Sequence, residues 1–148
     1  MGADLYLDAV FEPQRRKWQP EFDKAAATRD AAPNESTKHA AQVRVEHCFE
    51  QMYSCGYFRD SYNDSNALWK FGLSWWGDVI PMLDAKSRLS PAQSARLLQM
   101  LDERQSDFSA AIAGLSKSEQ RYFRGRADEL RTFLREACAL GEPITCSL

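Results

Sequence analysis

The chain lacks a long apolar run. No stretch of about 18 apolar residues occurs among its 148, which excludes a membrane-spanning helix. It also lacks an excess of either charge: 19 basic and 21 acidic side chains leave a net charge of −2. A nucleic-acid binder shows a basic face, and an acidic mimic of DNA would need many more carboxylates, so neither is expected. Histidine is scarce, with only His39 and His47. The four cysteines (Cys48, Cys55, Cys138, Cys146) contain no pair at the short spacing of a zinc half-site. No metal and no cofactor are therefore expected. A glycine-rich phosphate loop, a nucleophile–histidine–acid set and internal repeats are also missing from the sequence.

The first residues, MGADLYLDAV, carry Asp4 and Asp8 and no basic segment, so they do not read as a secretory signal. Tyr6 stands where N-myristoylation needs Ser or Thr. Without a secretory route, Asn34-Glu35-Ser36 and Asn63-Asp64-Ser65 are chance matches to the glycosylation triplet. Reduced thiols and a cytoplasmic location follow as expectations. A length of 148 fits one domain, 1–148, able to bury roughly 70% of the surface its unfolded chain exposes.

What is present is aromatic. Eight of seventeen aromatic residues (Tyr53, Tyr57, Phe58, Tyr62, Trp69, Phe71, Trp75, Trp76) lie within one short stretch. An acidic and amide-rich loop, Arg59 to Asn66, interrupts them. The rest of the chain reads as amphipathic helices wrapped around this aromatic centre. Residues 3–11 alternate as a strand would, but no second alternating run offers a partner, so a short helix stopped by Pro13 is preferred. A helix over 12–32 is expected to kink or restart at Pro20. Arg15-Arg16-Lys17 reads as a solvated face beside Trp18 rather than a phosphate patch. Ala41, Val45, Cys48, Met52 and Cys55 form one stripe of a helix over 37–55, closed by Gly56. His47 lies one position off that stripe, where a lone histidine is commonly part-buried and hydrogen-bonded.

Asn63, Asp64 and Ser65 are N-caps for a short helix from about Asn66. Ser74 caps another, over 75–83, which Pro81 kinks or ends. Ser90-Pro91 opens a long helix to Gly114, and Ser116 with Glu119 forms a capping box for the last helix, which runs to Leu140. Tyr122, Phe123, Ala127, Leu130, Phe133, Leu134 and Ala137 are expected to face inward. The prediction is an all-α fold, a compact bundle of five to seven helices with a C-terminal antiparallel helical hairpin.

The loop is the candidate site. Counted as an EF-hand from Asp60, it puts Tyr62 at position 3, Ser65 at position 6 and Phe71 at position 12, and so fails the ligand pattern. Asp60 and Asp64 are spaced to act as a carboxylate pair, and a glycosidase would want the aromatic platforms nearby. Capping explains Asn63, Asp64 and Ser65 equally well. Trp75 and Trp76 point about 100° apart on a helix, so one of them should be exposed, and exposed tryptophan marks protein-binding hot spots. Aromatic stacking without a basic groove does not make a nucleic-acid site. The arginines of 121–135 alternate with acids as a mixed solvated face.

The run GYFRDSYNDSNALWKFGLSWWGDVIPML, with GADLYL near the start and GEPITCSL at the end, resembles small stand-alone bacterial proteins of uncharacterised function. The resemblance covers nearly the whole chain and implies no activity and no site residue. Two readings follow. One is a protein-interaction module that binds and modulates another protein, of inhibitor or immunity type, using Tyr57, Arg59, Asp60, Tyr62, Asn63, Asp64, Trp69, Trp75 and Trp76. Its partners would be another protein or a second copy as a homodimer, with no nucleic acid and no membrane. The other is a ligand-binding or hydrolytic protein using Asp60, Asp64 and Arg59 beneath the tryptophans. A closed pocket with converging carboxylates favours the second, an exposed aromatic patch the first.

Overall fold

Ala3 and Leu5 are fully buried while Asp4 and Tyr6 are only half covered. This two-residue period is that of a strand with one covered face. The computed structural model, which describes residues 2–61 and 66–148, makes Gly2–Tyr6 strand β1. The helix expected there is therefore corrected, and so is the purely helical fold. The missing partner is the tail. Strand β4, Ile144–Ser147, pairs antiparallel with β1, setting Leu5 opposite Cys146 and Asp4 opposite Ser147. No local window contains both partners, so the pairing cannot be read from neighbouring residues.

Two further strands complete an antiparallel sheet of order β2-β1-β4-β3, with β2 at Tyr57–Ser61 and β3 at Arg88–Leu89. Arg59 to Ser61 thus belong to an edge strand rather than a loop. Helices still dominate: α1 (Asp8–Asp30), α2 (Glu35–Met52), α3 (Ala67–Lys70), α4 (Pro91–Glu103), α5 (Gln105–Ile112) and α6 (Lys117–Leu140). A π-helical turn, Trp75–Val79, and a 3-10 turn, Ile80–Met82, lie between α3 and β3.

The chain divides into two compact units, residues 8–57 and residues 1–7 with 58–148. The first is a helical hairpin. Helix α1 runs through Pro13 and Pro20, neither stopped at the first nor restarted at the second. Each proline removes the bond to the carbonyl four residues back. Those carbonyls belong to Ala9 and Arg16, both exposed, where water replaces the lost donor. Asn34 caps α2 by accepting from Thr37 N at 2.9 Å. Gln14 reaches Gln51 O and Arg29 reaches Gln42, so the helices are antiparallel. The stripe Ala41, Val45, Cys48 and Met52 is buried as expected, but α2 ends at Met52 and Cys55 lies beyond it. Gly56 then takes φ +65°, the left-handed region open to glycine. His47 is exposed, edge-on to Trp18 at 5.6 Å. Arg15 and Arg16 are solvated and lie beside Glu12.

The second unit carries the sheet. Phe58 packs on Phe133 of α6, with ring centroids 6.2 Å apart. Phe71 stacks on Phe108 at 4.4 Å. Fully buried Leu97, Leu101, Leu130 and Leu134 fill the space between helices. The long helix expected over 91–114 is broken at Arg104, whose ψ of 16° leaves the helical region. There Arg104 reaches Gly72 O, and Arg131 holds Gln105 at 2.6 Å and Asp102 at 3.5 Å on either side. The Ser116–Glu119 capping box and the left-handed Gly141 stop of α6 are as the sequence predicts.

Candidate functional site

Asp60 lies on β2 with its side chain on the covered face, 7% exposed. Taking a carboxylate out of water is costly unless donors replace the water. Three do. Ser61 N donates to Oδ1 at 2.9 Å, the Trp75 indole Nε1–H donates to Oδ2 at 3.3 Å, and the Leu68 backbone N–H at the start of α3 also donates. Burial nonetheless pushes the Asp60 carboxyl above its ordinary range, against the pull of these donors and of Arg126. The carboxylate therefore ties β2, α3 and the π-helical turn together.

Asn66 is the cap of α3. Its Oδ1 accepts from Trp69 N at 2.6 Å, and its Nδ2 donates to Ser61 O at 2.6 Å. This corrects the assignment of the cap to the residues before it. The candidates Tyr62, Asn63 and Asp64 lie outside the described residues, and so does the Asp60–Asp64 pair as a geometric unit.

The π-helical turn is closed by its own reciprocal cap. Ser74 Oγ accepts from Gly77 N at 2.9 Å, and Asp78 accepts from Ser74 N at 2.7 Å. Within it Trp75 is buried at 1% exposure and Trp76 is 60% exposed, the division that their adjacency requires. Trp69, on α3, is 51% exposed. Tyr57 is half-buried and belongs to the hairpin unit, where its ring is 4.8 Å from Tyr53. The aromatic stretch is thus divided between the two units, Tyr53 and Tyr57 in the hairpin and the rest of its described residues in the other.

Arg59 is exposed, 3.6 Å from Asp4. Its carbonyl accepts from Arg126 of α6, whose guanidinium also pairs with Glu129 and lies 4.6 Å from the Phe58 ring centroid. Arg126 thereby covers a carbonyl of an edge strand. Beside it is an open depression of about 390 Å³ lined by Gly2, Arg59, Asp60, Ser61, Tyr122 and Arg126. At Gly2 a Cβ would come within 2.6 Å of Asp60 O, so only glycine permits this approach of the strands.

Sequence reasoning missed Tyr122 and Arg126. Tyr122 was expected inside, yet it is 60% exposed and edge-on to buried Phe123 at 5.2 Å. The signal was there: two adjacent aromatics on a helix cannot share one face, as at Trp75-Trp76. Lys70 lies over the Phe123 ring at 4.9 Å and joins α3 to this part of α6. Among the described residues no group of three His, Cys, Asp or Glu side chains could hold a metal, and no helix is long and apolar enough to cross a membrane.

No protein-family model matches the chain, and no significant match was found among curated proteins or solved structures.

Proposed function

We propose that the protein is an interaction module that binds and modulates another protein, in the manner of an inhibitor or immunity protein. The observation that carries this reading is the presentation of Trp69, Trp76 and Tyr122. All three are more than half exposed, and all stand on capped elements of one unit. Large aromatics offer much contact area with few rotors to freeze, which is why they dominate binding hot spots. The inward-turned Asp60 adds support, because three protein donors already engage its carboxylate.

A second reading has its own observation. The depression beside Arg59 and Ser61 could hold a small ligand, as the ligand-binding or hydrolytic alternative requires. Its rim is charge-compensated, since Asp4 faces Arg59 and Glu129 faces Arg126. That argues for recognition by shape and hydrogen bonding rather than by strong attraction for an anion.

The test is affinity capture from bacterial cell extract, then reconstitution with the purified captured protein and calorimetric titration. Trp69→Ala, Trp76→Ala and Tyr122→Ala are each expected to weaken that complex by about tenfold or more with the melting temperature nearly unchanged. Equal affinity in all three variants would remove these aromatics from the interaction. A melting shift caused only by small molecules, and abolished by Arg59→Ala, would favour the second reading.

A further inference from the structure

The helical hairpin carries a surface feature of its own. Between α1 and α2 runs a groove of about 400 Å³ lined by Phe22, Gln42, Val45, Glu46, Phe49 and Glu50. Its floor is apolar. Val45 is buried, whereas Phe49 is 50% exposed although it is one of the hairpin's largest apolar side chains. The apolar strip continues past the groove, because Phe49 lies 4.7 Å from Tyr53 and Tyr53 lies 4.8 Å from Tyr57.

The rim is acidic, and neither of its glutamates forms an ion pair among the described residues. Glu46 and Glu50 sit one helical turn apart on α2, a spacing at which like charges repel. Glu46 accepts from Gln42 at 2.9 Å, and Glu50 has no hydrogen-bond or ion-pair partner among the described residues. Arg44 pairs with Glu21, Lys38 with Glu35, and Arg15 and Arg16 with Glu12; Arg29 pairs with Asp30 and donates to Gln42 at 3.2 Å, without an ion pair to Glu46. Phe49 thus stands half exposed beside two carboxylates that have no ion-pair partner among the described residues.

We infer that this groove receives a basic amphipathic helix of a partner protein. The partner's apolar side chains at i, i+3, i+4 and i+7 lie on Phe22, Val45 and Phe49, and its flanking lysines or arginines, also one turn apart, meet Glu46 and Glu50. The occupant is cationic because binding then relieves the repulsion between the two glutamates. An acidic or neutral helix would leave that repulsion in place.

The test uses the full chain and a synthetic peptide of about four helical turns, with leucines at helical spacing and lysines on the flanks. One control has the same composition in scrambled order, and another has glutamate in place of lysine. Fluorescence anisotropy should show binding of the first peptide only, weakening as salt is raised. Phe49→Ala and the double variant Glu46→Gln/Glu50→Gln should each weaken binding by about tenfold or more. Trp76→Ala should leave it unchanged, so the result stands or falls independently of the exposed aromatics of the other unit. Equal binding of the scrambled peptide, or undiminished binding by the double glutamine variant, would overturn the inference. So would a concentration-dependent dimer, seen by light scattering without peptide and lost in Phe49→Ala, which would assign the groove to a second copy of the chain.

Discussion

The Trp75 indole N–H donates to the Asp60 carboxylate at 3.3 Å, joining a residue of the edge strand to a π-helical turn fifteen positions later. The two groups satisfy each other where neither can reach bulk water. Through this contact the inner tryptophan is fixed in orientation, and Trp76 is left facing outward.

Removal of the carboxylate should therefore cost stability. Asp60→Ala leaves the Trp75, Ser61 and Leu68 donors without their acceptor, and a cost of about 3 kcal/mol is expected. Asp60→Asn keeps one acceptor oxygen, and about 1–2 kcal/mol is expected. Urea denaturation at neutral pH measures both. Equal midpoints for wild type and Asp60→Ala would contradict the bonding described.

The pH dependence has a definite sign. Burial raises the Asp60 carboxyl above its ordinary value of 3.8, so the folded protein holds this proton more firmly than the unfolded chain. Its stabilising contribution is complete below the unfolded value and is lost as pH rises through the folded one. The stability difference between wild type and Asp60→Asn should fall across that window and level off above it. Urea midpoints over a series of pH values give the curve. A difference that rises with pH would mean that the three donors outweigh burial.

The cap of α3 is tested at Asn66. Asn66→Ala removes both its bond from Trp69 N and its bond to Ser61 O, and should cost about 2 kcal/mol. Asn66→Ser restores an N-cap oxygen and should recover part of that loss. Thermal and urea unfolding of the three proteins decide it, and no cost in the alanine variant would show that α3 does not depend on this cap.

Adjacent tryptophans should respond oppositely. Trp75→Ala empties a buried site and should cost about 3–5 kcal/mol. Trp76→Ala should change stability by no more than about 0.5 kcal/mol, so any effect it has on binding can be read without correction for unfolding. Denaturation midpoints of the two variants give the comparison. Similar losses in both would mean that Trp76 is packed as its neighbour is.

Local chemistry was enough for the helical punctuation. Ser90 with Pro91, Ser116 with Glu119, and Gly141 set their boundaries through bonds between residues three to six apart, which any sequence window contains. The same holds for the opposite facing of Trp75 and Trp76, which follows from side-chain direction along one turn. The break at Arg104 was not legible, because Gly72 and Arg131 lie far from it in sequence.

The sequence by itself determined most of the helical segments, the caps of several of them, and most of the residues they turn inward, because those properties depend on neighbours along the chain. Only the tertiary structure decided that residues 2–6 are a strand, since alternation in one short segment gains hydrogen bonds only when Ile144–Ser147 arrives beside it. It also decided that Asp60 is a structural tie, because its donors come from Ser61, Leu68 and Trp75 on three elements. A carboxylate's role depends on how many donors reach it and how much water is displaced, and both are fixed by chain segments that meet only in the folded molecule.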